Sequence, residues 1–256
     1  MNSEKLKELL ESKYTLYNNP DFISSDPIAI PHSFSKGEDI EISSFLTSTI
    51  AWGQRTTIVK NGFRLMEMMD NVPYEFVMNA GPEDLRRLST FVHRTFNGDD
   101  CLFFIESLRN IYLKFGGMQQ AFTSGIQPGE TSIYPSILRF RERFLESPHL
   151  PRSQKHIANP AAGSTAKRIN MFLRWMVRKD NHGVDFGLWD SLSPAQLCCP
   201  LDVHVGNVAR RLKLLERKQN DWKAVEELTA RLRTFDPLDP AKYDFALFGT
   251  GAFEGG

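Results

Sequence analysis

A lysine and an aspartate in the C-terminal half of the chain, Lys167 and Asp202, have side chains that together could perform nucleophilic catalysis by an amine. Lys167 lies just inside a predicted helix start beside Arg168, and a neighbouring cation favours the free, nucleophilic amine. Asp202 follows Pro200-Leu201 and precedes an amphipathic run, so we expect it to cap a helix. An aspartate that faces such a lysine can deprotonate it or stabilise a developing cation. From residue types and spacing alone, a surface lysine and an ordinary helix cap remain the simpler interpretation.

The elements that must position this pair are predicted to be helical. Apolar residues recur at helical spacing along most of the chain, without an alternating strand pattern or an Asn-Gly hairpin. The sequence therefore predicts an all-α fold. The predicted helices span residues 3–17, 39–69 with a bend near Gly53, 73–77, 82–88, 99–115, 131–145, 164–177, 202–214, 220–233 and 239–250.

Composition and charge are those of an ordinary globular protein. Of the 256 residues, 41% are apolar and 24% charged, which is enough to bury a sizeable core. The formal net charge is zero, so the chain as a whole does not indicate a polyanionic partner. Residues 139–179, however, contain ten Lys or Arg and only two Asp or Glu. This segment is compatible with a phosphate-binding face, and solvated helix faces explain it equally well.

The cysteines and the N-terminus narrow the class of protein further. Three cysteines, two of them adjacent, do not make a disulfide framework and lack the spacing of a zinc site or an iron–sulfur cluster. We expect no metal and no other cofactor. The first residues are charged and lack the apolar core of a signal peptide, and no apolar run reaches the roughly 18 residues of a membrane span. We therefore expect a cytoplasmic protein with no membrane partner.

Two segments carry a resemblance to a known superfamily. Residues 200–205, Pro-Leu-Asp-Val-His-Val, followed by 208–212, Val-Ala-Arg-Arg-Leu, resemble the aspartate motif of the helix–hairpin–helix DNA glycosylases. The Pro-X-Asp-Val-His form is most similar to the 8-oxoguanine branch, while residues 166–172 resemble the segment that holds the catalytic lysine there. The resemblance implies that Lys167 is the nucleophile and Asp202 the essential carboxylate. The whole chain also looks similar to a bacterial family of unknown function.

Two looser matches occur in the same order as in that superfamily. Residues 52–57, Trp-Gly-Gln-Arg-Thr-Thr, correspond to a helix turn that, in the superfamily, fills the gap left by a flipped base. The match implies this role for Gln54 and a DNA contact for Arg55. Residues 243–248 look like the helix that lines the base pocket, which implies Phe248 against the base face and Asp244 at a base edge. Trp52 could stack on a base, although a tryptophan in an apolar helical run is more often part of a core.

The DNA-binding hairpin of the superfamily is altered here. Its Leu-Pro-Gly-X-Gly form is replaced by Asn-Pro-Ala-Ala-Gly-Ser at residues 159–164. Gly163, Ser164 and the following helix start could still bind a phosphate, because helix N-termini bind anions through their backbone N–H groups. The resemblance also makes Arg168 and Arg210 candidate DNA contacts. His204 could meet a phosphate or the aspartate, and a packed histidine is an equally good interpretation.

The resemblance implies a two-lobed helical fold with a cleft between the lobes. We expect residues 40–180 to form the central lobe with the hairpin-like loop and Lys167, and residues 1–39 with 181–256 to form the second lobe with Asp202. The implied function is base-excision DNA glycosylase, with AP-lyase activity, on an oxidised purine in duplex DNA, performed by a monomer without an iron–sulfur cluster. A non-catalytic nucleic-acid-binding module and a helical interaction or nucleotide-processing domain that never meets DNA remain alternatives.

Overall fold

The computed structural model describes residues 2–253, and these contain no β-strand, only an isolated bridge between His93 and Phe96. The expected all-α class is confirmed. The α-helices of this range are α1 (Ser3–Tyr17), α2 (Gly37–Ile50), α3 (Arg55–Met68), α4 (Pro73–Asn79), α5 (Pro82–Leu88), α6 (Gly98–Phe115), α7 (Met118–Thr123), α8 (Tyr134–Phe144), α9 (Lys167–Val177), α10 (Val203–Arg211), α11 (Trp222–Arg233) and α12 (Asp244–Phe253).

Local side-chain chemistry sets many of the helix ends. The side chains of Asn97, Asp202 and Asp221 accept backbone N–H groups in the first turns of α6, α10 and α11, respectively. Helix α6 ends at Gly116, whose φ of 83° is the left-handed conformation that glycine adopts without steric cost. The starts at Asp202 and Asp221 and the end at Gly116 agree with the sequence-based expectation, because capping depends on neighbours in the chain, whereas α6 begins one residue earlier than expected.

Helix α7 was not predicted, and its start shows why. It has only six residues, and its first amide, that of Met118, donates to Glu41 Oε2 at 3.1 Å. Glu41 lies on α2 and is buried, so this helix is capped by a residue 77 positions away in the chain. A cap supplied over such a distance leaves no local signal in the sequence.

The chain divides into two compact units, which we describe separately. Unit 1 comprises Met1–Phe22, Gln127–Pro135 and Asn159–Gly256, and unit 2 comprises Ile23–Ile126 and Ser136–Ala158. This division differs from the expected lobes, since it groups α9 with α10–α12 rather than with α2–α8. The physical reason is that Trp175 O and Met176 O on α9 accept the amides of Phe186 and Trp189, which ties α9 to the segment that follows it.

Unit 1 is organised around α12. This helix packs against α1 and α10, and its buried face includes Phe245 and Leu247. Gly249 lies directly against the Tyr17 ring, where any Cβ atom would overlap it. Unit 2 has its own aromatic core on and around α2, formed by Phe45, Phe96, Phe103, Phe104, Phe140 and Phe144.

No helix within residues 2–253 combines the length and the apolar character that a membrane crossing requires.

Candidate functional site

Unit 1 brings Lys167 and Asp202 together. The Lys167 Nζ lies 3.8 Å from Asp202 Oδ2, and the two side chains keep 23% and 27% of their surface exposed. Asp202 Oδ1 accepts the Val205 amide at 2.9 Å, so the same carboxylate also caps α10 as predicted. The arrangement therefore presents an amine and a carboxylate, side by side, to solvent.

A strained backbone precedes the lysine. Ala166, the residue before α9, is buried and has a φ of 49°, in the left-handed region that costs a non-glycine residue about 1–2 kcal/mol. Its amide donates to Ser164 Oγ at 3.1 Å and its carbonyl accepts the Asn170 amide, which holds it in place. One turn further on, Met171 Sδ lies 3.6 Å from Lys167 Nζ. The backbone at the first position of α9, which carries Lys167, is therefore held in one conformation.

A buried ion pair accompanies the exposed one. Asp244, at the start of α12, is only 5% exposed, and Arg174 Nη1 donates to its Oδ2 at 2.5 Å. Burial raises the pKa of Asp244 to about 6; Arg174 and Lys167 oppose this rise, while Asp202 adds to it. Lys167 therefore lies beside Asp202, the residue that caps α10, and its charge also opposes the rise in the pKa of Asp244. The expected place of Asp244 at a base edge stays a prediction, with its carboxylate bound to Arg174 in this structure.

Sequence reasoning did not single out Arg174. It follows Lys167 by seven residues, two helical turns, and therefore shares its face of α9. A signal was present, because Arg174 interrupts an otherwise apolar run, Met-Phe-Leu-Arg-Trp-Met-Val. A charged residue in such a run requires a buried partner, but the sequence alone does not say which carboxylate supplies it.

The ion pairing continues through Asp185 to Arg178, the residue that follows α9. Arg174 Nε donates to Asp185 Oδ1 at 3.3 Å, and Arg178 Nη1 binds the other oxygen of the same carboxylate. Arg178, only 1% exposed, also contacts Asp239 at 3.0 Å and Asp180 at 3.1 Å. Burial by itself would lower the pKa of Arg178, but the aspartates raise it above its usual value. This network fixes α9, and with it Lys167, in the unit.

The turn that replaces the superfamily hairpin is self-contained. The side chain of Asn159 accepts the Ala162 amide, the Gly163 amide donates to Pro160 O at 2.9 Å, and the Ser164 amide donates to Asn159 O at 3.2 Å. Gly163 has a φ of 87°, and both Gly163 and Ser164 are exposed. Their amides are engaged in the turn, so Gly163, expected to contact a phosphate, has no donor left for it, and Ser164 would have to use its hydroxyl group.

The remaining candidates of unit 1 have different surroundings. His204 is exposed on the first turn of α10, whereas Arg168 is half-buried and burial lowers its pKa to about 10. Arg210 binds Arg217 O and Asn220 Oδ1, at 2.8 and 2.6 Å, which anchors the loop after α10. Phe248 is half-buried, with its ring centroid 6.2 Å from that of Phe22. Their roles toward DNA stay predictions.

Trp52, Gln54 and Arg55 belong to unit 2, where two histidines hold the tryptophan. The Trp52 ring lies edge-on to His93 at 5.0 Å and is stacked on His156 at 5.9 Å. Gln54 is exposed at the position before α3, where its side chain makes no capping hydrogen bond, and Arg55 is the first residue of that helix. The exposed amide side chain of Gln54 therefore lies two residues after a tryptophan that is packed against two histidines.

The hydrogen bonds of His93 define the tautomer of its ring. Asn61 Nδ2 lies 2.8 Å from its Nδ1, and Trp52 O lies 3.2 Å from its Nε2. Since the amide nitrogen donates and the carbonyl accepts, the ring fits as the neutral tautomer with its proton on Nε2. Burial lowers the pKa of His93, with the Trp52 carbonyl acting in the opposite sense.

The described residues, 2–253, contain no group of three or more His, Cys, Asp or Glu side chains placed to hold a metal ion. Cys101, Cys198 and Cys199 are free and buried. Burial raises the pKa of each thiol, which keeps it protonated and unreactive.

Comparisons with known proteins place the chain in one family. No curated protein and no solved structure matched it. The match is to a family model, and it covers residues 26–253, which include every candidate residue named above. The chain belongs to the family described as "Protein of unknown function (DUF2400)".

Proposed function

We propose that this protein is a base-excision DNA glycosylase with AP-lyase activity, acting on an oxidised purine in duplex DNA. The observation that supports the proposal is the Lys167–Asp202 pair, 3.8 Å apart and partly exposed, within segments that resemble the lysine and aspartate motifs of the helix–hairpin–helix glycosylases. The proposal includes the two-lobed, cleft-containing arrangement, the monomeric state and the lack of a cofactor that the resemblance implies.

The chemistry assigned to the pair is nucleophilic substitution at the sugar. Asp202 helps to free the Lys167 amine of its proton and stabilises positive charge that develops at C1′. The amine attacks C1′, the bond from C1′ to the base nitrogen breaks, and the base leaves with a proton. Opening of the sugar ring then gives a Schiff base, from which the 3′ phosphate is eliminated.

Access to the base requires that the damaged nucleotide leave the stack. Flipping costs a few kcal/mol and is easiest for a damaged or mismatched base, which contributes to selectivity. We assign Gln54, exposed ahead of α3, to the gap that the base leaves, and Arg55 to the adjacent backbone. Phe248 and Trp52 are the aromatic groups proposed to face a base.

Phosphate contacts are assigned to a further group of residues. These contacts would fix the register of the duplex without reading its sequence. The proposed residues are Ser164, through its hydroxyl group, Arg168, His204 and Arg210; Gly163 is left out because its amide donates within the turn. The basic segment at residues 139–179, in a chain of zero net charge, is consistent with a phosphate-binding surface confined to one part of the protein.

Borohydride trapping tests the nucleophile directly. Duplexes that each carry one lesion, together with an abasic duplex, are incubated with the protein and borohydride, which reduces a Schiff base to a stable adduct. We expect wild-type protein and Lys7→Ala, which alters an exposed lysine on α1, to give adducts, and Lys167→Ala to give none while still binding DNA. Adducts with Lys167→Ala, or none with wild type on any duplex, would contradict the proposal.

A non-catalytic DNA-binding module is the second candidate, and one observation favours it. A lysine 3.8 Å from a helix-capping aspartate is also an ordinary ion pair, and Lys167 Nζ has Met171 Sδ as a further partner. This alternative predicts salt-dependent duplex binding by both wild type and Lys167→Ala, without base release from any lesion.

A further inference from the structure

The end of α10 and the loop that joins it to α11 carry three cations outside the site described above. Arg211, Lys213 and Lys218 are exposed, and their side chains form no hydrogen bond or ion pair with any part of residues 2–253. Residues 203–220 contain five Lys or Arg and one Glu, a net charge of +4. Three exposed cations without internal partners are available to an external anion.

The basic segment at residues 139–179 offers fewer such cations than its composition suggests. The Arg143 guanidinium donates to the backbone carbonyl that follows α7 at 2.8 Å, and Arg152 pairs with a fully buried aspartate on α6. Arg174 and Arg178 belong to the buried ion-pair network of α9. A phosphate contact by these side chains would first have to break internal bonds. The unpartnered cations of the loop therefore provide a surface that the composition of the chain did not reveal.

The loop is fixed beside Asp202. Arg210 Nε donates to Arg217 O at 2.8 Å, and its Nη2 donates to Asn220 Oδ1 at 2.6 Å. Asn220 Nδ2 in turn donates to Asp202 O at 3.2 Å. Gly206 makes this approach possible, since a Cβ atom there would lie only 2.9 Å from both Arg210 Nη1 and Asn220 Oδ1. The loop is thus held against α10, next to the proposed catalytic carboxylate.

The other end of the loop reaches the turn at residues 159–164. The Trp222 amide, at the start of α11, donates to Gly163 O at 3.3 Å. Within the loop, the Arg217 side chain pairs with Asp221, and Lys218 follows Arg217 directly. Lys218 is therefore carried by a braced backbone between Asp202 and that turn.

Lys213 has a backbone conformation that favours glycine. Its φ is 58°, and the amides of Lys213 and Leu214 donate to Arg210 O and Ala209 O, a pattern in which helices commonly end at a glycine. A lysine near a helix C-terminus gains from the helix dipole, but Arg210 and Arg211 already supply positive charge in the last turn of α10. A strained lysine in place of a glycine indicates a use for its charge.

We propose that Arg211, Lys213 and Lys218 form a phosphate-binding surface that holds the backbone of duplex DNA beside the Lys167–Asp202 pair. The charge of the loop is complementary to a polyanion, and contacts of this kind fix the register of a duplex without reading its bases. The choice of DNA as the polyanion rests on the proposed function, because the pair beside the loop is the one to which we assign chemistry at the sugar.

The salt dependence of binding tests the surface without requiring catalysis. Binding of a short undamaged duplex is followed by fluorescence anisotropy between about 50 and 200 mM salt, where each phosphate contact contributes about 0.9 to the slope of log affinity against log salt. We expect Arg211→Gln/Lys218→Gln to lower the slope by roughly 1.8 relative to wild type. Lys5→Gln/Lys7→Gln removes the same charge from exposed positions on α1 and should leave the slope unchanged. Arg211→Lys/Lys218→Arg keeps both charges and should also bind as wild type does.

Lys213→Gly separates the charge of this residue from its backbone strain. Glycine adopts a positive φ without steric cost, so we expect a melting temperature equal to or above that of wild type. The slope should nevertheless fall by about 0.9, because one phosphate contact is lost. An unchanged slope in this variant would remove Lys213 from the surface.

Wild-type protein provides a readout that does not depend on the folding of a variant. Lysines are acetylated with and without saturating duplex, and the extent of acetylation at each position is measured by mass spectrometry. Lys213 and Lys218 should be protected severalfold by the duplex, while Lys5 and Lys7 should react equally in both samples. Equal acetylation of Lys213 and Lys218 with and without DNA would overturn the inference.

The outcomes distinguish this surface from the proposed function. Salt-dependent binding with the same slope in Arg211→Gln/Lys218→Gln as in the α1 control overturns the surface and leaves the glycosylase proposal intact. A slope that falls as expected, in a protein that never forms a borohydride-trapped adduct, supports the surface and refutes the glycosylase proposal. Binding to phosphatidylserine vesicles without binding to the duplex would contradict both and identify the loop as a membrane-binding surface.

Discussion

The two oxygens of the Asp202 carboxylate have different partners, the Lys167 amine and the Val205 amide. Oδ2 lies 3.8 Å from the lysine Nζ, while Oδ1 accepts the amide of Val205 and begins α10. One oxygen of the aspartate therefore caps α10, and the other, which faces the amine, is the one to which we assign the proposed chemistry. Because the helix holds Oδ1, it also fixes the direction in which Oδ2 faces the amine.

Substitutions of Asp202 should separate these two tasks. Asparagine keeps an oxygen that can cap α10 but carries no charge, so we expect Asp202→Asn to fold normally and to form Schiff-base adducts roughly a hundredfold more slowly. Asp202→Ala loses the cap as well and should cost about 1 kcal/mol of unfolding free energy. Denaturant unfolding and borohydride trapping measure the two effects. Equal trapping by Asp202→Asn and wild type would remove the carboxylate from the mechanism.

Arg178 should be a major determinant of the stability of unit 1. Arg178→Met leaves Asp185, Asp239 and Asp180 without their shared cation, and breaking a buried pair in this way costs about 3–5 kcal/mol. Denaturant unfolding followed by circular dichroism measures the loss. Arg217→Met, which breaks the more exposed pair with Asp221, is the matched control and should leave the unfolding midpoint near that of wild type.

The close approach of α1 to α12 should tolerate no side chain at position 249. A Cβ there would overlap the Tyr17 ring, so we expect Gly249→Ala to lower the unfolding free energy by about 1–3 kcal/mol. Gly37→Ala is the control, because a Cβ at Gly37 would meet nothing within 4 Å. Tyr17→Ala in the Gly249→Ala background should restore part of the loss. Thermal unfolding of wild type, Gly249→Ala, Tyr17→Ala and the double variant forms a double-mutant cycle. Additive losses would show that the two residues do not collide.

Acidic pH should destabilise unit 2 through His93. Because burial lowers the pKa of His93 below its usual 6.5, the unfolded chain binds a proton at a higher pH than the folded protein does. The contribution of His93 is therefore complete above about pH 6.5 and is lost as the pH falls toward the lowered pKa. The unfolding free energies of wild type and His93→Gln should differ most at pH 7.5 and become similar as the pH is lowered to 5.5. A constant difference between them would contradict this account.

Much of the fold follows from local sequence. The 3.6-residue spacing of apolar side chains indicates helices without strands, and Asp202 and Asp221 mark helix starts that occur where expected. Capping and periodicity involve residues a few positions apart, so one sequence suffices to recognise them. Local reasoning also drew attention to Lys167 and Asp202, but it was the resemblance to the glycosylase motifs that assigned the two residues to one site.

Only the tertiary structure decided which buried charges meet. Arg174 and Asp244 are 70 positions apart, and Arg178 and Asp239 are 61 apart, in segments with no common pattern. The grouping of α9 with the C-terminal helices, contrary to the expected boundary at residue 180, is of the same kind. A charge in an apolar run requires a partner, but packing over the whole unit determines which one comes within reach, because desolvation penalises every arrangement that leaves it alone.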